Sequence, residues 1–303
     1  MLNDERGTAD RMKSYPFKQV DVFTDRPLRG NPVAVVLGAD GLTGGDMQRL
    51  ATWTNLSETT FVLSPTRSEA DYRLRIFTPK GELPFAGHPS IGSAHAVLES
   101  GLVKPQRSHF VQECEAGLLP VRVEWAGDTR RLFVQTPAAS VTPCDPACHA
   151  ELAAALGLDL PPEPVPLRVD VGPVWLIVQL DSAASVHGLR PDLAAVTQLS
   201  HALSLTGITV FGLTGGGPSA AYTRSFAPAQ NVPEDPVCGS GNASVAAFLA
   251  HSDQLGTTGP NYVASQGHEL GRDGFVHIAV SLPERTIQLG GASVTCVEGS
   301  LRV

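Results

Sequence analysis

Three polar residues lie at positions where they could move a proton. Glu58 is at the mouth of a predicted strand, His88 is in a turn before a predicted helix, and Asp235 just precedes a second one. A carboxylate in a partly dry cleft has a raised pKa, which makes it a competent general base near neutral pH. The three side chains therefore indicate acid/base chemistry, provided that the fold brings them together.

Each of these residues also has an ordinary structural explanation. Glu58 would be a surface carboxylate at a strand end, and His88 a turn residue that bonds to the backbone. Asp235 precedes a proline, which is a common arrangement in turns. Taken singly, the three residues leave both interpretations open.

An internal repeat relates the region around His88 to the region around Asp235. The first copy comprises residues 75–79 (RIFTP) and 86–92 (AGHPSIG), and the second comprises 224–228 (RSFAP) and 238–244 (CGSGNAS). Each copy predicts an extended segment, a polar loop, a glycine turn and the start of a buried helix. Two such halves would enclose a cleft between two helix N-termini, where a carboxylate is favoured. His88 and Asp235 would then lie on opposite walls of that cleft.

The composition describes a soluble globular protein with ample core. The chain has 303 residues, 42% of them hydrophobic and 17% charged, and its net charge is −8. This charge argues against binding to nucleic acid or to an anionic membrane, because both require a basic face. Residues 1–15 form neither a signal peptide nor a membrane span. These features predict a cytoplasmic protein.

The cysteines indicate neither a disulfide framework nor a metal site. There are five, an odd number, and a reducing compartment fits this usage. Cys144, Cys148 and His149 lie together in a proline-rich segment, but their spacing is not that of a zinc finger. We therefore predict no metal.

The element order predicts an α+β fold with two lobes, each a curled, mostly antiparallel sheet around a central helix. The two central helices, near residues 90–98 and 243–250, are small or apolar nearly all round and must be buried. We predict outer helices at 46–54, 149–156 and 192–203. The predicted organisation is a disordered extension (1–16), an N-terminal lobe (17–127, with a tail strand at 291–303) and a C-terminal lobe (128–290).

Several motifs resemble those of the PhzF-like isomerase family of phenazine biosynthesis. The matching segments occur in the right order and are FKQVDVFT (17–24), GNPVAV (30–35), NLSETTF (55–61), FAGHP (85–89), DPVCGSG (235–241) and QGHELGR (266–272). The resemblance implies a fold like that of diaminopimelate epimerase, catalysis without a cofactor, and a homodimer. It also implies that Glu58 lifts a proton from one carbon and returns it to another. His88 and Asp235 would bind the substrate and relay protons.

The same resemblance implies roles for residues at the two helix starts. Gly87, Gly239 and Ser240 would present N–H or hydroxyl groups to the substrate carboxylate. Cys238 is similar to an acid/base cysteine of diaminopimelate epimerase, and its place beside a helix N-terminus predicts a lowered thiol pKa. However, the first half has Ala86-Gly87-His88 where the epimerase has its second cysteine. A small buried filler is the other interpretation of Cys238.

These observations favour a cofactor-independent isomerase that shifts a proton on a small carboxylate-bearing substrate. One alternative is an amino-acid or hydroxy-acid racemase, epimerase or dehydratase that uses Cys238. Another is a non-catalytic binder of small carboxylates. The predicted partners are the substrate and a second copy of the chain, with no nucleic acid and no membrane.

Overall fold

The structure is a computed structural model that describes residues 13–104 and 108–303. Within these residues, seventeen strands are hydrogen-bonded into one continuous sheet that surrounds two buried helices. The predicted α+β architecture of two lobes, each built around a central helix, is confirmed. No helix in the described part of the chain is long and apolar enough to cross a membrane.

Eight strands come first along the chain and form most of the first lobe: β1 (Ser14–Val22), β2 (Asn31–Val36), β3 (Thr59–Leu63), β4 (Tyr72–Thr78), β5 (Gly81–Leu83), β6 (His109–Cys114), β7 (Gly117–Ala126) and β8 (Thr129–Gln135). The second lobe contains β9 (Ser140–Pro143), β10 (Leu167–Asp170), β11 (Val174–Leu180), β12 (Gly207–Leu213), β13 (Ala221–Ala227), β14 (Val232–Asp235), β15 (Asn261–Gln266) and β16 (Gly274–Ser281). The last strand, β17 (Thr286–Arg302), runs through both lobes. The helices are α1 (Gly44–Thr54), α2 (Gly87–Glu99), α3 (His149–Leu156), α4 (Ala183–Gly188), α5 (Leu193–Ala202), α6 (Gly239–His251) and α7 (Leu255–Thr258).

Helix α2 is the core of the first lobe and is buried on every side from His88 to Leu98. It contacts β1, β2, β3, β4, β8 and β17. The helix begins at Gly87, so His88 lies in its first turn and not in a preceding turn as predicted. Pro89 also falls in this first turn, where its missing N–H costs no helical hydrogen bond.

Helix α6 has the same position in the second lobe. Almost all of it is buried, and it contacts strands from β9 to β12 together with β16 and β17. A helix without a polar face gains stability only when it is enclosed, and the surrounding sheet provides that enclosure. The two helices also contact each other, so the two lobes meet along their cores.

Strand β17 joins the two lobes and changes partners along its length. Its first part pairs with β16 and β8, and from Ser293 onward it pairs with β1. Strand β8, which begins just after the predicted lobe boundary at residue 127, pairs with β7 and contacts α2. Residues 14–16, assigned to a disordered extension, pair with β17. Residues 1–12 of that extension lie outside the described residues.

Shorter helices cover the outer face of the sheet in both lobes. The three predicted outer helices correspond to α1, α3 and α5, whereas the short helices α4 and α7 were not predicted. Strands β5, β9, β10 and β14 have only three or four residues each, which is too short to show a periodicity in the sequence.

Cys144 and Cys148 are joined by a disulfide beside α3, contrary to the interpretation of the cysteines, while Cys114, Cys238 and Cys296 are free.

The predicted repeat appears as two matching ion pairs. Arg75 on β4 forms a two-pronged contact with Glu82 on β5, with both N–O distances at 2.6 Å. Arg224 on β13 forms the same contact with Glu234 on β14, at 2.8 Å for both. In each half a parallel strand pair, β4 with β6 and β13 with β15, flanks the central helix. A residue in one half can therefore be compared with the residue at the equivalent position of the other half.

Gly92 and Ser244 occupy equivalent positions in the two central helices. We expect replacement by alanine to change the stability of the protein differently at the two positions. A methyl group at Gly92 would lie 2.4 Å from Cγ1 of Val33 and 2.9 Å from Cγ2 of Val22. These β-branched side chains are stiff, so we expect Gly92→Ala to lower the free energy of unfolding by about 1–3 kcal/mol. The buried Ser244 hydroxyl has no partner among the described residues, so Ser244→Ala should be neutral or stabilising. Urea unfolding of both variants measures the change in the free energy of unfolding. A Gly92→Ala protein that is more stable than wild type would contradict the tight packing of Gly92 against Val33 and Val22.

Candidate active site

Glu58 and His88 meet in the first lobe, although 30 positions separate them in the sequence. Glu58 immediately precedes β3, and His88 is the second residue of α2. Atom Nε2 of His88 lies 3.4 Å from Oε2 of Glu58, and the side chains are only 7% and 16% exposed. Neither atom has a hydrogen-bond partner within the described part of the chain. The contact leaves a carboxyl and an imidazole directed at each other and available to a third group.

The surroundings of His88 decide which ring nitrogen carries its hydrogen. The ring forms a hydrogen bond with the backbone of Pro32, and Nε2 is the nitrogen without a partner. Proline has only a carbonyl to offer, so Nδ1 must be the donor. In the neutral ring, Nε2 therefore presents a lone pair towards Glu58.

Burial shifts the pKa values of both groups in favour of proton exchange. Desolvation raises the pKa of Glu58 from 4.5 to about 7, against a smaller lowering effect of the Ser57 side chain. Desolvation also lowers the pKa of His88 to about 4, although the charge of Asp235 and the Pro32 bond act in the other direction. At neutral pH the imidazole is therefore neutral and Glu58 exchanges readily between its two forms.

Asp235 comes from the second lobe and is tied to the first by a buried asparagine. Nδ2 of Asn31, at the start of β2, donates to Oδ1 of Asp235 at 2.9 Å and to the carbonyl of Val237 at 3.0 Å. The backbone N–H of Val237 donates to the same Oδ1 at 3.1 Å. Desolvation raises the pKa of Asp235 to about 6, with the charge of Glu58 adding to the effect and that of His88 opposing it. Asp235, Glu58 and His88 thus form one electrostatically linked group.

The N-termini of α2 and α6 face each other beside this group. A methyl group at Gly239 would lie 3.5 Å from the backbone nitrogen of His88, and one at Gly87 would lie 3.4 Å from Leu289. Glycine at both helix starts therefore keeps side chains out of the space between the two ends. Unpaired N–H groups and the helix dipole favour an anion at such a place. Carboxylate binding by Gly87 and Gly239 stays a prediction.

Ser240 lies in the first turn of α6 and is held by a tryptophan from β11. The indole N–H of Trp175 donates to Oγ of Ser240 at 3.0 Å. Because an indole only donates, the Ser240 oxygen accepts this hydrogen bond, and its own hydrogen can be donated to another group. The sulfur of Cys238 lies 3.6 Å from the same oxygen.

Cys238 caps α6 and does not have the reactive thiol that its position predicts. Its sulfur accepts a hydrogen bond from the N–H of Gly241 at 3.2 Å, and the residue is 3% exposed. Desolvation, followed by the charge of Asp235, raises the pKa of the thiol well above its usual range. The expectation of a lowered pKa is therefore wrong, because burial outweighs the effect of the helix N-terminus.

The repeat shows that the acid/base residues are not duplicated. In the frame of the repeat, Ile76 corresponds to Ser225, and these two residues pair with Thr60 and Thr209 respectively. Thr60 therefore corresponds to Thr209. Glu58 lies two positions before Thr60 and Gly207 lies two positions before Thr209, so Glu58 corresponds to Gly207. By the same reasoning Asp235, which pairs with Ser225, corresponds to Leu83, which pairs with Ile76. His88 corresponds to Ser240, so none of Glu58, His88 and Asp235 has an acidic or basic counterpart in the other half of the repeat.

Comparison with known proteins identifies the family to which this frame belongs. A family profile described as "Phenazine biosynthesis-like protein" (PhzC-PhzF) matches residues 20–299. The chain belongs to this family. It is 34% identical to the trans-2,3-dihydro-3-hydroxyanthranilate isomerase of Pseudomonas aeruginosa, across 92% of this chain and 96% of that protein. It is 40% identical to "Antisense-enhancing sequence 1" of Schizosaccharomyces pombe, across 95% and 99%.

Solved structures extend the relationship. The Bacillus anthracis protein of the PhzF family superposes with a TM-score of 0.84 at 25% identity, covering 96% of this chain and all of that one. A hydroxyproline epimerase from Agrobacterium vitis shares the fold alone, with a TM-score of 0.60 at 13% identity over 96% and 93% of the two chains. Several family relatives are named isomerases, which confirms the expected enzyme class: this chain is an isomerase of the PhzF kind.

The fold brings all the predicted site residues to one place, but sequence reasoning missed three that hold them. Asn31 and Gln266 were named only within family motifs, and Trp175 was not singled out. The side-chain oxygen of Gln266 accepts from the N–H of Cys238 at 3.0 Å, and its amide donates to the carbonyl of Asp235 at 2.9 Å. No group of three metal-ligating side chains occurs among residues 13–104 and 108–303.

Proposed function

We propose that this isomerase moves a proton between two carbon atoms of a small carboxylate substrate, with Glu58 as the acid/base. The observation that carries the proposal is the contact of Glu58 with His88, in which a nearly buried carboxyl with a pKa of about 7 faces an unpartnered imidazole nitrogen. A group with this pKa takes and returns a proton with similar ease at neutral pH. This is what a reversible proton shift requires.

The proton transfer would proceed in two steps on one substrate. The Glu58 carboxylate takes a proton from an activated C–H, which leaves a delocalised carbanion and a neutral carboxylic acid. The carboxylic acid then returns the proton to a different carbon, so that a double bond moves and no atom is gained or lost. His88 is neutral and can accept a hydrogen bond from protonated Glu58, which steadies the intermediate state.

The negative charge of the substrate would be bound at the facing helix N-termini. Pro89 has no N–H, so the donors in the first turn of α2 are Gly87 and His88. The N–H of Gly241 is taken by the sulfur of Cys238, so the donors offered by α6 are the N–H groups of Gly239 and Ser240. Preorganised donors of this kind stabilise charge as it develops in the transition state.

The first compound to test is trans-2,3-dihydro-3-hydroxyanthranilate, the compound named for the Pseudomonas aeruginosa relative. Proton NMR in D₂O should show deuterium entering a ring carbon together with movement of the double bond. Exchange confined to the α-carbon of amino acids would support a racemase instead. Binding without exchange at any carbon would support the non-catalytic binder.

The pKa of Glu58 predicts how the rate depends on pH. The carboxylate form is the base in the free enzyme, so kcat/KM should rise about tenfold per pH unit up to about pH 7 and then level off. An unperturbed glutamate would level off near pH 4.5. Initial rates between pH 5 and 9 distinguish the two cases, and a plateau that already begins near pH 5 contradicts the raised pKa of Glu58.

Replacement of Cys238 separates this mechanism from a racemase. The thiol is protonated at neutral pH and serves as a helix cap, so Cys238→Ser should lower kcat by less than about tenfold, because serine is also a good N-cap. A thiol that exchanged protons with the substrate would make the same change abolish turnover. Steady-state kinetics with a matched Cys296→Ser control measures this.

Two further expectations remain proposals. We propose that the reaction needs no cofactor, since Glu58 and His88 provide the proton transfer; activity should survive exhaustive dialysis against a chelator. We also propose a homodimer, which light scattering of the purified protein would test.

A further inference from the structure

The turn that follows β15 lies against the segment that carries Asp235. The side-chain amide of Gln266, the last residue of β15, donates to the carbonyl of Asp235 at 2.9 Å. A methyl group at Gly267 would lie 2.4 Å from the carbonyl oxygen of Pro236, so the two main chains touch at this point. Two consecutive residues of the turn therefore contact two consecutive residues of the segment.

Glu269, two residues further along the turn, reaches the same segment through a buried arginine. Arg224, whose side chain is only 5% exposed, forms its two-pronged ion pair with Glu234, the residue before Asp235. Its Nε atom also lies 3.7 Å from Oε2 of Glu269. One guanidinium is thus held between two carboxylates, one from the turn and one from the segment.

The other contacts of Glu269 fix its carboxylate and keep it charged. The phenol of Tyr222 donates to Oε2, and Nδ1 of His187 lies 2.6 Å from Oε1. The rings of His187 and His268 stack on Tyr222, with centroids 3.9 and 5.0 Å away. Burial acts to raise the pKa of Glu269, but these hydrogen bonds and the charge of Arg224 outweigh it, so the pKa is lowered. The carboxylate is therefore ionised at neutral pH and has a fixed position.

The first half of the repeat has a similar arrangement but no acid beside it. The hydrogen bond of Glu82 and, to a smaller extent, the charge of Glu115 raise the pKa of Arg75, so this arginine also has two carboxylates nearby. The residue after Glu82 is Leu83, which corresponds to Asp235. The arginine of this half is 25% exposed, against 5% in the second half. The more buried arrangement is the one that adjoins the acid.

We propose that Glu269 is a positioning residue for the isomerisation, which holds Asp235 in the cleft through the ion pair of Arg224. The inference rests on the proposed function, because it takes Asp235 to act on the substrate there. Gln266 and Gly267 fix the main chain of the segment, and Glu269 adds a third attachment from the same turn. A displacement of about 1 Å at a reacting group can cost about a hundredfold in rate.

Glu269→Gln tests the proposal, with Glu115→Gln as the matched control in the first half. Glutamine keeps the shape of the side chain but weakens its hold on Arg224, so kcat should fall about 10- to 100-fold. KM should change by less than about threefold, since the first turn of α6 keeps its Cys238 cap. Glu115→Gln should retain the wild-type kcat. An unchanged kcat in Glu269→Gln, a loss in KM alone, or equal losses in both variants overturns the inference.

A double variant shows whether Glu269 acts through the ion pair. Once Glu234→Gln has weakened the pair with Arg224, adding Glu269→Gln should lower kcat by less than about twofold more. Both changes interrupt the same chain of contacts, so their effects are not additive. Losses that multiply fully in the double variant would mean that Glu269 acts by another route, and would overturn the inference.

The titration of Asp235, followed by carbon NMR of its carboxyl group, provides a measurement that needs no turnover. Desolvation raises its pKa to about 6 in wild type. A segment that is held less firmly admits water, so Glu269→Gln should lower this pKa towards the ordinary value of 3.8. Glu269→Asp keeps the charge but shortens the side chain, and it should lower the pKa as well. An unchanged pKa, or a fall in Glu269→Gln alone, overturns the inference.

Two outcomes are separated by these measurements. If wild type turns over no substrate but both variants lower the pKa of Asp235, the isomerase proposal fails and the attachment through Arg224 stands. If wild type is active and the variants change neither kcat nor this pKa, the proposed function stands and the inference fails. Should Glu269→Gln not fold, Tyr222→Phe replaces it in both measurements, because it removes one hydrogen bond to the same carboxylate.

Discussion

Replacing Glu58 by glutamine is expected to slow isomerisation by about a thousandfold while the protein remains folded. Glutamine has nearly the same shape and can still donate to Nε2 of His88, which lies 3.4 Å from the Glu58 oxygen. It cannot take a proton from carbon, and a positioned acid/base is worth about 10²–10⁴ in rate. The measurement is the rate of deuterium entry into the substrate in D₂O, followed by NMR. Wild-type exchange in this variant would assign the base to another residue.

The same variant is expected to gain stability at high pH, which checks the cause of the pKa shift. Glu58 has a pKa of about 7 in the folded protein and about 4.5 when exposed, so the folded state holds its proton more tightly. The stability from this proton is complete below pH 4.5 and is lost as the pH rises through 7. The loss amounts to about 3 kcal/mol, and a neutral glutamine does not suffer it.

Urea unfolding at pH 5 and pH 8 measures this effect. The difference between Glu58→Gln and wild type should be small at pH 5 and should favour the variant at pH 8. An effect that is equal at both pH values would mean that the carboxyl is well solvated, and the explanation of its pKa by burial would be wrong. A stabilised variant with little activity would show that the protein keeps an unfavourable buried acid for its chemistry.

Replacing Gln266 by leucine is expected to have the largest effect on folding. Its side-chain oxygen accepts from Cys238 N–H, from the Asn242 amide and from the Thr223 hydroxyl, and its amide donates to the carbonyl of Asp235. Leucine leaves these buried groups without their partner, at about 1–3 kcal/mol for each group that finds no other. We expect Gln266→Leu to lower the free energy of unfolding by about 3–5 kcal/mol.

Gln112 provides a matched control in the other half of the repeat. It is paired with Tyr72 on the parallel strand, as Gln266 is with Thr223, and it donates to Ser90 of α2 at 3.0 Å. Gln112→Leu should therefore also destabilise the protein, but it leaves the segment from Asp235 to Cys238 intact. Per folded molecule, Gln266→Leu should lose far more kcat than Gln112→Leu. Equal kcat in the two variants would reduce Gln266 to a purely structural role.

The sequence by itself determined the frame and the identity of the chemical groups. The repeat, the apolar central helices and the polar loops depend on residues close together in the chain, where local periodicity and turn chemistry operate. They were enough to predict two lobes and a cleft between helix N-termini, with Glu58, His88 and Asp235 as candidates for acid/base chemistry; the roles of the three residues come from the family resemblance and stay a prediction. The family motifs added the enzyme class, which is confirmed.

Only the tertiary structure decided how these groups work together. The approach of Glu58 to His88 and the bond from Asn31 to Asp235 join residues 30 and 204 positions apart, and no local pattern records such distances. The pKa of the Cys238 thiol was predicted to be lowered but is raised, because a helix N-terminus can be recognised in the sequence and burial cannot. Desolvation and the pairing of buried donors with acceptors depend on every neighbour that surrounds a group, so they emerge only when the chain is folded.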